Sequence, residues 1–140
     1  MKKRIFLLIL ALVVLCVTPV QAFAQPVQLL EGISPEWVVI TRFFNTCNMS
    51  DSGKFEFSSA LSAQSHIDKV VIEARLQQEV NGSWKTIKSW ISTSSGNTGS
   101  LYKAHYVAGG YFYRLVATGC VYHNNKLIEQ ASYTSPLYWY

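Results

Sequence analysis

Gly110-Tyr111-Phe112-Tyr113-Arg114-Leu115-Val116-Ala117 is the stretch whose reading decides the fold. After the glycine the side chains alternate, with Tyr111, Tyr113, Leu115 and Ala117 in one set and Phe112, Arg114 and Val116 in the other. A pleated strand sends successive side chains to opposite faces, so this pattern describes a strand with one buried side. If the tyrosines point inward, Phe112 lies on the outer face.

The same grammar extends in both directions. Downstream the strand runs on to Tyr122, Asn124-Asn125 forms a hairpin turn, and Leu127-Ile128 opens a last strand region leading toward Tyr140. Upstream, Leu101 to Val107 ends at Gly109-Gly110, preceded by a Ser/Thr/Gly loop from Thr93 to Ser100. From Lys69, the residues Val70, Ile72, Ala74 and Leu76 alternate with Val71, Glu73, Arg75 and Gln77, and Asn81-Gly82 then supplies the positive φ angles of a tight hairpin. The returning strand, Trp84 to Ser92, spaces Trp84, Ile87 and Trp90 by three. The hairpin signal and the Thr/Ile/Trp content favour a strand with a bulge over a helical turn. Nearer the N-terminus, the dense run Trp37 to Phe44 is broken by the polar cluster Asn45 to Gly53, and Phe55 to Leu61 resumes the alternation. About seven strands with no helical period predict an all-β, two-layer antiparallel β-sandwich, which the motif around Tyr111 sharpens to immunoglobulin-like by resemblance.

The Gly110–Ala117 motif resembles the penultimate strand of fibronectin type III and related immunoglobulin-like domains. In those domains a tyrosine near the strand start bonds back to the preceding corner. The resemblance implies that Tyr111 is the corner tyrosine and that Tyr113, Leu115 and Ala117 face the core. More widely, Leu76-Gln77, Gly82-Ser83-Trp84-Lys85, Ser89-Trp90 and Gly110-Tyr111, behind an apolar leader, resemble small, uncharacterised exported immunoglobulin-like proteins of Gram-positive bacteria. That resemblance supports the fold and a Gram-positive source, implies no known activity and leaves function open.

Residues 1–24 read as a secretory signal peptide, with Lys2-Lys3-Arg4, an apolar run from Ile5 to Val17, and Ala22-Phe23-Ala24 before the cut. The run is too short for a bilayer-spanning helix, and Leu15 before Cys16 does not fit a lipoprotein signal. Residues 25–140 are then a single β-sandwich domain, secreted or associated with the cell surface, with no transmembrane segment. The formal charge of +4 falls to +1 once the leader is removed. The remaining basic residues are dispersed, which argues against nucleic acid as a partner. Cys47 and Cys120 survive cleavage, and an even pair in an exported chain is expected to form a disulfide.

Catalytic groups are sparse. His66 with Asp68 is the one histidine–carboxylate neighbourhood; His105 and His123 have no acidic neighbour within three residues. Glu73 and Glu79 share parity on one strand and read as an outer-face pair. Asp51-Ser52-Gly53 reads as a turn in preference to a calcium ligand set. Asn48-Met49-Ser50 and Asn81-Gly82-Ser83 match a glycosylation pattern, meaningful only in a eukaryotic source. No cysteine or histidine spacing suggests a metal, and no cofactor is expected.

Aromatic side chains are abundant, and alternation must expose some of them. Trp84, Trp90, Phe112 and Trp139 are the candidate ligand-binding residues, because exposed rings stack on sugars or anchor protein interfaces. The expected function is a non-enzymatic exported module that binds a cell-envelope glycan or a protein. The alternatives are a small secreted hydrolase or enzyme inhibitor acting through loop residues near His66 and Asp68, and a unit whose edge strand adds to a partner sheet.

Overall fold

The computed structural model describes residues 37–140, all within one compact unit; the expected signal peptide lies outside the described residues. The strands are β1 (Ile40–Met49), β2 (Lys54–Ala63), β3 (Lys69–Val80), β4 (Ser83–Ser95), β5 (Thr98–Tyr106), β6 (Phe112–His123), β7 (Lys126–Thr134) and β8 (Tyr138–Trp139). They form two antiparallel sheets, one in the order β1-β2-β5 and one in the order β4-β3-β6-β7, with β8 on β6. The result is an all-β sandwich in which β3, β6 and β7 take the places of the C, F and G strands of immunoglobulin-type domains.

Alternation builds the interface between the sheets. Phe55, Phe57 and Leu61 of β2 meet Val70, Ile72, Ala74 and Leu76 of β3 and Tyr113, Leu115, Ala117 and Val121 of β6, and all are buried. Gly119 stands at the closest approach, where a Cβ would lie 2.9 Å from a Leu61 methyl. The Asn81-Gly82 hairpin forms as read, with φ of 53° and 75°, and Asn124-Asn125 makes a second turn with φ of 50° and 62°. Both residues of each turn have positive φ, which matches the twist of the flanking strands.

Two polar stretches are strand where the sequence reads as loop. β1 continues through Asn45 to Met49, because the inward Asn45 amide accepts a 2.7 Å hydrogen bond from the buried Ser59 hydroxyl. A satisfied amide can occupy a position that is otherwise apolar. Likewise β4 runs to Ser95 and β5 starts at Thr98, leaving only Gly96 and Asn97 between them.

The eighth strand comes from Pro136, which has no N–H for the ladder. Ser135 bridges the gap: its N–H donates to Leu115 O and its hydroxyl accepts from Leu115 N–H, both at 2.9 Å. The chain then rejoins β6 as β8, pairing Trp139 with Phe112 and Tyr138 with Tyr113.

The corner tyrosine is Tyr113, which corrects the expectation for Tyr111. The Tyr113 hydroxyl donates to Ala108 O at 2.6 Å and the ring is buried, whereas Tyr111 is 39% exposed. Both have the same parity, but the backbone turns at Gly110, with φ of 88°, and β6 begins only at Phe112.

The expected Cys47–Cys120 bridge is absent: both are free thiols. Parity explains this. Cys47 packs against the core between the sheets, whereas Cys120 alternates with the buried Gly119 and Val121 and so belongs to the outer face of the five-stranded sheet. The backbone of β6 separates them. Burial pushes the Cys47 thiol up to about 11, with the Tyr133 and Ser135 side chains pulling the other way, so it stays protonated at neutral pH.

The entry to β1 is clamped by one side chain of β7. The Glu129 carboxylate accepts the backbone N–H groups of Val38, Val39 and Ile40 at 2.8, 2.9 and 2.6 Å. Desolvation, the largest single influence, raises this carboxyl, but the three donors together outweigh it and hold it below its usual range. The clamp therefore contributes fully above the ordinary carboxylate pKa and is lost as pH falls through the depressed folded value. Glu129→Gln is expected to lower stability by about 1 to 2 kcal/mol at neutral pH. The difference in urea midpoint between the two proteins should shrink on acidification below about pH 4.

Candidate ligand-binding face

Three of the four candidate aromatics stand on the outer face of the five-stranded sheet. Trp84 of β4 is opposite Glu79 of β3, and Phe112 of β6 is opposite Trp139 of β8. Continuing the register that pairs Gln78 with Tyr113 brings Glu79 beside Phe112. One row thus crosses four strands: Trp84, Glu79, Phe112, Trp139. The Phe112 and Trp139 rings meet edge to face with centroids 4.8 Å apart, and they remain 40% and 61% exposed. Beside them lies a shallow depression of about 360 Å³, bounded by Asn81-Gly82 on one side and Gly110-Tyr111 on the other.

The next row along the same face is polar. Arg114 lies with its guanidinium carbon 4.1 Å over the Trp84 ring. Its Nε donates to Gln77 Oε1 at 2.9 Å, and Gln77 Nε2 reaches Thr86 Oγ1 at 3.4 Å. Planar stacking and a hydrogen bond together fix the guanidinium plane. Arg114 and Gln77 were absent from the sequence-derived set. The parity of β6 already put Arg114 outward beside Phe112, but its contact with Gln77 and Trp84 depends on the register of three strands.

Trp90 does not join this face. The sheet register shifts between Leu76 and Gln77, because Leu76 faces Lys88 while Gln77 faces Thr86, leaving Ile87 as the extra residue of a bulge. A bulge reverses the parity of everything beyond it. Trp84 and Trp90, six apart, therefore point to opposite sides. Trp90 packs inward on Phe57, with centroids 5.1 Å apart, and against His105 at 6.2 Å.

His66, Asp68 and His123 converge at an exposed corner. The two imidazole rings lie 5.8 Å apart, and His123 Nδ1 is 3.6 Å from Asp68 Oδ2. That same carboxylate oxygen accepts the Asn124 N–H at 2.6 Å, while Asp68 N–H donates to Tyr122 O and Asp68 O accepts from Gly96 N–H. Asp68 thus ties three turns together, a structural task. Among the described residues no group of three or more His, Cys, Asp or Glu is placed to hold a metal ion, and no helix is long and apolar enough to cross a membrane. Asp51-Ser52-Gly53 forms a turn in which Gly53 N–H donates to Ser50 O. Glu73 and Glu79 lie on the outer face of β3, as expected.

Fold and face together define a β-sandwich with an aromatic row on one sheet. No family model matches the chain, and no curated protein matches it. Among solved structures it is similar to a glycosyl hydrolase family 2 member from Bacteroides cellulosilyticus DSM 14838, at 14% identity with a TM-score of 0.42. The match covers 68% of this chain and spans 15% of the length of that one.

Proposed function

We propose that the mature chain is an exported, non-enzymatic binding module that takes an extracellular ligand, a cell-envelope glycan or a protein, on the aromatic end of the five-stranded sheet. The observation that carries the reading is the exposed Phe112–Trp139 pair beside an open depression, in line with Trp84. Large rings left in solvent by a strand pairing that fixes them in place are preorganised contact surfaces, and their ordering cost is met in folding. The apolar leader supports placement outside the cell.

The reading is tested with the mature protein and isolated envelope glycan, followed by tryptophan fluorescence and calorimetry. Ala substitution at Phe112 or Trp139 is expected to weaken binding by roughly thirtyfold, since a stacking or hot-spot ring contributes about 2 kcal/mol. His66→Ala, His105→Ala and Trp90→Ala are the comparisons, each checked for folding. Loss of binding at a histidine with Phe112→Ala and Trp139→Ala silent would replace this reading with an enzymatic one.

A further inference from the structure

Resting on the aromatic-face reading, we infer that the ligand is a carboxylate-bearing sugar chain and that Arg114 reads its carboxylate. The guanidinium is fixed on one face by the Trp84 ring and along one edge by Gln77. Among the described residues neither of its Nη atoms has a hydrogen-bond acceptor, and the ion pairs present, Lys54 with Glu56 and His123 with Asp68, do not involve it. A held guanidinium whose Nε is engaged presents its two Nη groups as a fork, the geometry that grips a carboxylate.

Position sets the rest of the ligand. Arg114 and Phe112 are two residues apart on one strand and face the same way, so their Cα atoms are about 7 Å apart. A pyranose ring stacked on Phe112 and Trp139 can therefore place a ring carboxylate at Arg114. The depression is bordered by Glu79 and by the Asn81 turn, which offer acceptors and donors to hydroxyl groups. Arg75, one row further along the same outer face, is a second cation, while Glu79 in the aromatic row disfavours densely charged phosphate or sulfate chains there. At about 360 Å³ the depression is in the size range of small-ligand sites.

The test uses the mature protein with oligogalacturonate, the same oligomer fully methyl-esterified, and poly-glutamate, read by tryptophan fluorescence. Wild type is expected to bind the acid form about tenfold or more tightly than the ester. Arg114→Gln, with an unchanged denaturation profile, should bring the acid form to the affinity of the ester and leave the ester unchanged. Arg114→Lys should restore little, because a mobile ammonium lacks the stacked plane. Trp139→Ala should weaken both forms. Equal binding of acid and ester, with Arg114→Gln silent and Trp139→Ala damaging, overturns the role of Arg114 and leaves the aromatic reading intact. Binding of poly-glutamate in place of both sugars, or of none of the three probes, overturns the acidic-sugar inference. Binding of the acid form that is insensitive to Phe112→Ala and Trp139→Ala removes the aromatic reading with it.

Discussion

Gly53→Ala is expected to destabilise the fold by about 2 to 4 kcal/mol, combining a left-handed backbone with a steric conflict. Gly53 has a φ of 75°, in the turn that joins β1 to β2. A Cβ there would enter the Tyr140 ring, lying 2.7 Å from Cζ and 2.9 Å from Cδ1. The Tyr140 backbone is held in place, its carbonyl accepting from Gly110 and Tyr111 N–H and its own N–H donating to Tyr111 O, and its ring packs against the core, so moving the ring aside gives up that packing. The two contributions can be separated by a double-mutant cycle in urea. In a Tyr140→Ala background the alanine should cost only the backbone strain, about 1 to 2 kcal/mol. A cost that is the same in both backgrounds would mean that Gly53 and Tyr140 do not pack as described.

Tyr113→Phe is expected to lower stability by about 1 to 3 kcal/mol while keeping the ring. The lost bond is the 2.6 Å hydroxyl contact to Ala108 O, and the carbonyl is left without that donor at the corner leading into β6. Tyr111→Phe is the paired control and should change the unfolding free energy measured in urea by no more than about 0.5 kcal/mol, the usual range for an exposed substitution. The reverse order would restore Tyr111 as the corner residue. Unchanged midpoints for both would remove the corner bond as a source of stability.

The pairing of these two tyrosines shows where sequence reading reaches its limit. Alternation assigned both to the same set, and it placed Tyr113, Leu115 and Ala117 in the core as the structure does. It could not register that Gly110 turns the chain first, so that Tyr111 leaves the strand while Tyr113 inherits the corner. The two tight turns, the Trp84–Trp90 bulge and the sandwich itself were legible, because each rests on local rules: positive φ at Asn-Gly and Asn-Asn, a spacing of three inside a strand, and period-two burial. The polar run of β1 was misread as loop because its support, the Ser59 hydroxyl, arrives from another strand.

The sequence by itself therefore determined the all-β class, most of the strand positions and the outward parity of Phe112. These follow from backbone geometry acting over a few residues. Tertiary structure alone decided which aromatics stand together, since Trp84, Phe112 and Trp139 share a row only through the register of β4, β3, β6 and β8. It also moved Trp90 inward through the parity reversal at Ile87, and it put Cys47 and Cys120 on opposite sides of β6. The sequence records which residues can face outward; pairing between strands far apart in the chain decides which of them become neighbours.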